Sequence, residues 1–293
     1  MTILNFGSLN VDRVLRVGHI ARPGETIGST SSDVFAGGKG ANQSVSLARA
    51  GAAVAHLGKV GPDGQWLLDK LAREGVETRW VRVGSGPTGQ AMIQVDDAGQ
   101  NAIVLVGGAN DEITPDEVDE ALESFAAGAW LLVQNETSAV AHAIDRARRR
   151  GMRVAFNPAP FDNRVRQYPL EQLDLLCLNE TEGAAMTGEG AAEAICAALA
   201  AELPDCEIVL TLGAAGVLRA GPEGTLRCDA CRVAAVDTTA AGDTFLGYYL
   251  AGRAREDGVR ESLELACRAA ALCVTRAGAM DSIPRLAEVL KFS

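Results

Sequence analysis

The sequence lacks a surplus of basic residues. It carries 27 lysines and arginines against 38 aspartates and glutamates, for a formal charge of −11. Binding to a nucleic-acid backbone needs a basic surface, so we expect no nucleic-acid partner. An anionic small molecule such as a nucleotide remains compatible with this charge, because local attraction inside a site can act against the net charge.

Long apolar runs are also missing. None approaches the roughly 20 residues of a membrane-spanning helix, and the N-terminal MTILNFGSLNVD has no basic start followed by a long apolar stretch. We therefore expect neither a membrane partner nor a secretory signal. The seven cysteines are odd in number and scattered, which favours reduced thiols and a cytoplasmic location.

Clusters of metal ligands are scarce as well. The three histidines, His19, His56 and His142, are far apart in the sequence, and Cys228 and Cys231 form a C-x-x-C pair with no second pair nearby. A zinc knuckle needs four ligands, and a redox pair needs a helix that starts at its first cysteine. We expect neither at this pair, since a strand is predicted around it.

Glycine, in contrast, is abundant, with 32 residues that often cluster between apolar runs. This pattern is typical of tight turns and of backbone that approaches a ligand closely. Gly84, Gly86 and Gly89 match the spacing of a dinucleotide-binding loop. Such a loop must open a helix, whereas a strand is predicted here, so we interpret the segment as an ordinary loop.

The order of the predicted elements indicates one α/β domain. Before residue 113 the patterns predict strands at 3–6 and 53–60, helices at 40–50 and 64–74, and a hairpin of 90–95 with 102–106. After a capping box at Thr114 and Glu117, strands are predicted at 130–133, 153–156, 173–178, 208–212 and 232–236, and helices at 240–254 and 259–277. Short apolar strands alternating with helices predict a mainly parallel sheet. Segments 13–35 and 88–106 are predicted to form a small β lid.

The segment DTTAAGD, Asp237 to Asp243, is the most informative motif. A predicted strand leads into it and an apolar helix follows it. Ala240, Ala241 and Gly242 are small, so their amides can converge on an anion at the helix N-terminus. Asp243 would then place a carboxylate beside a bound phosphate, where it can accept a proton from an attacking hydroxyl. By itself the motif leaves a second interpretation open, in which Asp243 only caps the helix.

Two further segments combine polar side chains with the start of a helix. In AGGKGAN, residues 36–42, either Gly38, Lys39 and Asn42 hold a polyhydroxylated substrate or the glycines form a tight strand-to-helix turn. In NETE, residues 179–182, Asn179 and Glu182 directly follow a buried strand, where α/β folds bind ligands. Glu182 suits a hydrated Mg²⁺, although helix capping also favours these residue types.

Together these segments resemble the ribokinase-like (PfkB) family of carbohydrate kinases over essentially the whole chain. GSLNVD, PGET, GGKGAN, NPAP, NETE, TLG, DTTAAGD and RAGAMDSIP occur in the order typical of that family. The resemblance implies one kinase domain over residues 1–293, with a three-layer α/β/α fold, a mainly parallel central sheet and a small β-sheet lid. It also implies ATP as the phosphoryl donor, Mg²⁺ and, as an activator, K⁺.

The resemblance assigns the predicted site residue by residue. Asp243 is expected to be the catalytic base, with Ala240, Ala241 and Gly242 as its anion hole. The expected sugar-binding residues are Asn10, Asp12, Gly38, Lys39, Asn42, Glu136 and Asp243. The expected nucleotide-binding residues are Asn179, Thr211, Gly213, Gly216, Ala241 and Gly242. Glu182 is expected to hold Mg²⁺ through water. The expected monovalent-cation loop comprises Asp237, Thr239, Cys273, Arg276, Gly278 and Ser282.

The expected reaction is phosphorylation of D-ribose on its 5-hydroxyl. The GSLNVD and GGKGANQS motifs favour this acceptor, and Ala91, Ile93 and Leu105 on the lid would cover a small sugar. Other members of the family, acting on fructose, adenosine or pseudouridine, share the catalytic frame, and a non-catalytic sugar- or nucleotide-binding regulator is a third hypothesis. The exposed surface of the lid also suggests a homodimer formed through it.

Overall fold

The computed structural model describes residues 2–292, in which thirteen strands and nine α-helices form two sheets and their helical cover. The strands are β1 Thr2–Phe6, β2 Asn10–Arg16, β3 Ser31–Gly37, β4 Ala53–Val60, β5 Glu77–Val83, β6 Gly89–Val95, β7 Asn101–Val106, β8 Trp130–Gln134, β9 Arg153–Asn157, β10 Leu175–Asn179, β11 Glu207–Thr211, β12 Val217–Gly221 and β13 Gly224–Cys228. The helices are α1 Lys39–Arg49, α2 Gln65–Arg73, α3 Pro115–Leu122, α4 Val140–Arg149, α5 Glu180–Thr187, α6 Ala192–Glu202, α7 Ala241–Ala254, α8 Val259–Val274 and α9 Leu286–Val289.

The large sheet has nine strands in the order β13-β12-β11-β10-β9-β8-β1-β4-β5. All neighbours from β11 to β5 are parallel, and the β12–β13 hairpin adds two antiparallel strands at one edge. Short apolar strands such as LLCLN of β10 are typical of parallel strands that are covered on both faces. The predicted fold class, a three-layer α/β/α domain with a mainly parallel sheet, is confirmed.

Successive residues of each central strand point to opposite faces of the sheet and pack into two separate cores. Ile3, for example, packs with α1, α2, α7 and α8 on one face of the sheet, whereas Leu4 packs with α3, α4 and α6 on the other. This separation follows from the two-residue period of a strand. Because both faces are filled, the sheet holds the ends of its strands in fixed positions, and those ends carry the polar motifs.

A second, four-stranded sheet lies apart from the large one, with the strand order β3-β2-β6-β7. Its strands cover residues 10–37 and 89–106, slightly more than the predicted segments 13–35 and 88–106. Strand β6 follows directly after Gly84 and Gly86, so the predicted strand in place of a dinucleotide-binding helix is confirmed. The loops between β2 and β3 have no regular structure.

The strand predicted at 232–236 is wrong. Residues 229–236 form no strand, because the chain leaves the edge strand β13 and crosses an apolar cavity towards α7. Helix α8 was predicted to reach residue 277 but ends at Val274, whose carbonyl oxygen instead accepts from the amides of Val236 and Asp237 (2.7 and 3.2 Å). Strands β5, β12 and β13 and the short α9 were not predicted.

Local sequence signals explain several boundaries. Thr114 and Glu117 form the predicted capping box at the start of α3. Gly38 has a φ of 94°, and a Cβ there would collide with the Ser8 carbonyl oxygen, so the turn into α1 needs glycine. Among residues 2–292, no helix combines the length and the apolar character needed to cross a bilayer.

Candidate active site

The predicted site residues converge at the carboxyl ends of the central strands. Glu136 follows β8, Asn157 ends β9, and Asn179 ends β10. The N-terminus of α1 and that of α7 lie against the same edge, since Asn42 of α1 hydrogen-bonds Asp243 of α7. Parallel strands end on one side of a sheet, so motifs far apart in the sequence meet there.

Asp243 lies in the first turn of α7 and is 8% exposed. The helix begins at its N-cap residue Ala240, and no side chain caps it. The Asp243 carboxylate instead accepts hydrogen bonds from two residues of α1, from Asn42 Nδ2 at 3.1 Å and from Gln43 Nε2 at 2.8 Å. The capping interpretation of Asp243 is therefore wrong, and its carboxylate belongs to a polar site.

Besides Asn42, three predicted sugar-binding side chains lie near this carboxylate. Asp12 and Glu136 lie close enough to Asp243 for their charges to interact with it, and so does Lys39. The Lys39 backbone amide donates to Glu136 Oε2 (3.3 Å), which also accepts from the Ser8 hydroxyl. The structure thus brings together residues from β2, α1, α7 and the end of β8.

Asn10 and Gly38 take positions next to this group. Asn10 lies two residues before Asp12 on β2, and its Oδ1 accepts from Nδ2 of Asn110, which is buried (2.8 Å). Asn110 also accepts from the Leu9 amide (3.0 Å). Sequence reasoning missed Asn110, because it lies in a short 3₁₀ turn without a motif. The only feature of the sequence that marks Asn110 is a polar residue that follows two glycines shortly after a strand.

Burial and nearby charges shift the pKa values of the acidic and basic groups in the site. Burial, together with the charges of Glu136 and Asp243, raises the pKa of Asp12 to about 7. Burial also raises the pKa of Glu136. For Lys39 burial would lower the pKa, but the carboxylates of Asp243, Glu136 and Glu182 outweigh it and raise the pKa. Lys39 is therefore a permanent cation among acidic groups.

A polar cavity of about 370 Å³ opens beside Asp243. Asn179 and Glu182 line it, as do Lys39 and Asn157. Asn179 Oδ1 accepts from the Glu182 amide (2.9 Å), and Glu182 Oε2 accepts from the Asn179 amide (3.0 Å), so this pair also forms a capping box for α5. Burial raises the pKa of Glu182. Asn179 and Glu182 can therefore cap α5 and line the cavity at the same time.

An apolar cavity of about 400 Å³ adjoins the polar one. The two share the lining residues Thr211, Gly213, Thr238, Ala241 and Gly242. The predicted nucleotide-binding residue Gly216 lines the apolar cavity as well. Sequence reasoning missed the apolar remainder of the lining, because these side chains match the core-facing pattern of helices. They include Phe245, Cys267, Ala271 and Val274.

The start of α7 separates the two cavities. Ala240 has a left-handed φ of 60°, which is uncommon for a residue other than glycine. The Ala241 amide donates to the Thr238 carbonyl oxygen (3.2 Å) and is thus already used in the turn. At Gly242 a Cβ would meet no atom within 4 Å, so its backbone borders open space. The first turn of α7 can therefore face an anion.

The predicted monovalent-cation loop is assembled from three segments. Asp237 Oδ1 accepts from the Thr239 amide (2.9 Å), and Asp237 Oδ2 accepts from the Gly278 amide (2.9 Å). The Cys273 thiol lies 3.1 Å from the Ser282 hydroxyl. Arg276 forms an ion pair with Glu288 outside this cluster, so only its backbone is available to the loop. Within residues 2–292, no three His, Cys, Asp or Glu side chains are arranged to hold a metal ion.

Comparisons with known proteins agree with this arrangement. A family model described as pfkB family carbohydrate kinase matches residues 2–286. The ribokinase of Haemophilus influenzae is 36% identical over 300 residues, which cover 99% of this chain and 98% of that protein. The deoxyribokinase of Salmonella typhi is 31% identical, with coverage of 98% and 96%.

A solved structure extends the similarity to the fold. The ribokinase of Arabidopsis thaliana, complexed with ribose and ATP, has a TM-score of 0.85 and 29% identity, with 99% of this chain and 97% of that chain covered. The enzyme class expected from the sequence, an ATP-dependent carbohydrate kinase, is confirmed. With the family model spanning nearly every residue, the chain belongs to the pfkB family of carbohydrate kinases.

Proposed function

We propose that this protein transfers the γ-phosphoryl group of ATP to the 5-hydroxyl of D-ribose, with Asp243 as the general base. The observation that carries the proposal is the position of Asp243. Its carboxylate is buried, lines the polar cavity and lies near Asp12 and Glu136. A hydroxyl bound among these side chains is within reach of a base and of a phosphate.

The two adjoining cavities fit the two parts of a nucleotide. The apolar cavity suits an adenine ring, and the polar cavity suits the phosphates. Because Gly242 borders both, the first turn of α7 would face the transferring phosphoryl group and stabilise its charge. The ribokinase of Arabidopsis thaliana, solved with ribose and ATP, supports a site that takes both a sugar and a nucleotide.

The charges of the polar cavity support a role for Mg²⁺. Among the described residues that line it, Lys39 is the single basic side chain, beside the acidic Glu180, Glu182 and Asp243. A triphosphate entering this cavity needs a further cation, and carboxylate oxygens with water are the ligands that Mg²⁺ prefers. Glu182 would hold the ion through water. The ion would then neutralise charge on the phosphate oxygens. Loss of turnover with EDTA and its recovery with Mg²⁺ would test this role.

A monovalent cation fits the loop around Asp237. The Asp237 carboxylate is committed to holding the loop closed, so backbone carbonyl oxygens would supply most ligands. The loop is contiguous with Ala240, and an ion there would order the first turn of α7 without touching the phosphate. We expect turnover to be higher in KCl than in NaCl at equal ionic strength, and equal rates would contradict the assignment.

Asp243→Asn tests the proposed base. A general base contributes about 100- to 10,000-fold to a rate, so the variant should lose turnover by about that factor. Its binding of ribose and ADP, measured by calorimetry, should persist, because asparagine preserves the shape of the side chain. Asp205→Asn, an exposed change before β11 at the opposite end of the strand, serves as the control. Undiminished turnover in Asp243→Asn would refute the assignment.

The acceptor is tested separately from the base. Ala91 is buried and pairs with Asp12 and Leu105 across the small sheet, so a compact sugar fits beneath this sheet. The similarity to a deoxyribokinase makes 2-deoxyribose the second candidate. ADP release should be measured with ribose, deoxyribose, fructose, adenosine and pseudouridine. A preference for any acceptor other than ribose would replace the proposed substrate, and melting shifts without ADP release would indicate a binding protein.

The small sheet is proposed to act as a lid and as a dimer contact. Its strands expose Val34, Phe35, Ile103, Val104 and Leu105, each at least 41% accessible. A four-stranded sheet with so much exposed apolar surface is a candidate for covering by a second copy. Light scattering at several concentrations should give the mass of a dimer, and a monomer throughout would contradict the proposal.

A further inference from the structure

A continuous row of buried polar side chains runs beneath the site. Asn5 of β1, Gln43 and Ser44 of α1, His56 of β4 and Gln134 of β8 are each 0% exposed. Each of them carries a desolvation cost unless it is hydrogen-bonded. Their contacts form one connected network that ends at Asp243.

The part of the network nearest the site consists of three bonds. Gln43 Nε2 donates to Asp243 Oδ1 (2.8 Å) and also lies within hydrogen-bonding distance of Asn157 Oδ1 (3.1 Å). Gln43 Oε1 accepts from Gln134 Nε2 (2.7 Å). With its oxygen held by Gln134, the Gln43 amide must turn its nitrogen towards the carboxylate.

The distant part leads from Gln134 to the backbone. Gln134 Nε2 also donates to Asn5 Oδ1 (2.8 Å), and Asn5 Nδ2 donates to Ser44 Oγ (2.8 Å). Ser44 Oγ lies 2.8 Å from His56 Nδ1, and His56 Nε2 lies 3.1 Å from the Gly7 carbonyl oxygen.

The direction of every hydrogen bond in this network is determined. A carbonyl oxygen only accepts, so His56 Nε2 carries a proton. Burial lowers the pKa of His56 to about 4, so the ring is neutral and its Nδ1 accepts from the Ser44 hydroxyl. At the other end the Asp243 carboxylate also only accepts. Gln134, at the centre, therefore donates in both directions.

We infer that Gln43, held in one orientation by Gln134, is a positioning residue that orients the Asp243 carboxylate for proton acceptance. The inference rests on the proposed role of Asp243 as the base. Asn42 and Gln43 bind different oxygens of that carboxylate, and together they define its plane. A hydrogen bond donated to a carboxylate favours the ionised form, which is the form that a base needs.

Gln134 matters because it prevents a reversal of the Gln43 amide. If Gln43 turned by 180° about its terminal bond, its oxygen would face the Asp243 carboxylate and repel it. Gln134 prevents this reversal, because its Nε2 holds the Gln43 oxygen in a hydrogen bond. The space for Gln134 depends on Gly7, since a Cβ at that position would collide with Gln134 Oε1. This packing explains the glycine at the start of GSLNVD.

Gln43→Met tests the inference with little change in volume. We expect kcat with ribose and ATP to fall about 10- to 100-fold, the range for one hydrogen bond to a charged group, with KM changed less than threefold. The acidic limb of kcat against pH should move to higher pH, because the carboxylate loses a donor. Gln134→Met should produce the same shift with a smaller loss of kcat.

Gln134→Glu sharpens the test. A carboxylate at this position cannot donate in both directions, so kcat should fall further than in Gln134→Met. Ser46→Ala is the matched control. Ser46 is buried on the same helix and donates to the Thr244 carbonyl oxygen (2.9 Å), outside the network, so its removal should leave the pH profile unchanged.

The outcomes separate this inference from the proposed function. If wild type phosphorylates ribose and Asp243→Asn does not, but Gln43→Met retains kcat within twofold and the wild-type pH profile, the inference on Gln43 is overturned and the base assignment stands. A uniform loss with an unchanged acidic limb would also overturn it, because that result indicates a purely structural role. If Gln43→Met fails to bind ADP, the pH profile of Gln134→Met decides. An active Asp243→Asn would overturn both proposals.

Discussion

Strands β10 and β7 have similar apolar compositions but different surroundings. Leu176 of β10 lies in the centre of the large sheet and is fully buried, whereas Val104 of β7 in the small sheet is 64% exposed. The large sheet is covered by helices on both faces, whereas within residues 2–292 the small sheet has no such cover. Rigid packing thus surrounds the proposed catalytic groups, while the residues that would enclose the acceptor lie on a thin, open sheet.

The small sheet reaches the site through only a few residues. Its Asp12 enters the acidic group around Asp243, and Gly37 must be glycine there, because a Cβ would collide with the Asp12 carboxylate. Most of its other large apolar side chains are exposed. We therefore expect changes in the large sheet to affect stability, changes at α7 to affect turnover, and changes at β2 to affect binding of the acceptor.

The largest expected difference is in stability. Leu210→Ala empties a fully buried position on β11 and should lower the free energy of unfolding by about 2–5 kcal/mol. Val104→Ala changes an exposed position on β7 and should cost less than about 0.5 kcal/mol in the monomer. Urea unfolding at several protein concentrations measures both. A larger cost at Val104 that grows with concentration would show that a second copy covers the small sheet.

A smaller effect, on turnover, is expected at the first turn of α7. Gly242→Ala adds a methyl group where no atom of the fold lies within 4 Å, so the melting temperature should stay within about 1–2 °C, since a surface change costs little. The methyl would enter the cleft between the cavities and lower kcat/KM for ATP by about 100-fold, as loss of an anion-hole contact does. Gly190→Ala, at an equally open position outside both cavities, is the control. Equal activity of the two variants would exclude the anion-hole role.

The smallest expected effect concerns the pH dependence of sugar binding. With the pKa of Asp12 at about 7, its ionised fraction rises about tenfold between pH 6 and pH 8. If the ionised form accepts the sugar hydroxyls, KM for ribose should fall by about the same factor over that range. Asp12→Asn should raise KM and remove this dependence, whereas Asp97→Asn, in the exposed β6–β7 turn, should not. A wild-type KM independent of pH would contradict the role of Asp12.

The same carboxylate has a predictable effect on stability. Its raised pKa means that the folded protein holds this proton more tightly than the unfolded chain does, so the contribution of Asp12 to stability falls as pH rises from about 4 to about 7. Asp12→Asn should therefore melt at a higher temperature than wild type at pH 8, and the difference should vanish near pH 4. A lower melting temperature for the variant at pH 8 would show that another interaction of Asp12 dominates.

Much of this architecture could be read from local patterns. The apolar strands, the capping box of Thr114 and Glu117, and the glycines around Lys39 are features of short segments, and the structure contains them where they were predicted. The strand predicted at 232–236 failed, because Val233 and Ala235 line a cavity and not a core, and Val236 is 68% exposed. Periodicity alone cannot distinguish these two surroundings, since both select for small apolar side chains.

Sequence and tertiary structure decided different things about this protein. Motif order and residue type were enough for the family, the fold class and the carboxylate at the start of α7, because helix N-termini and parallel strands impose local requirements. Whether Asp243 caps its helix or serves a site was decided only by Asn42 and Gln43, which are about 200 residues away in the chain. Such contacts depend on how sheets and helices pack, so Gln134 and the network beneath the site had no signal of their own.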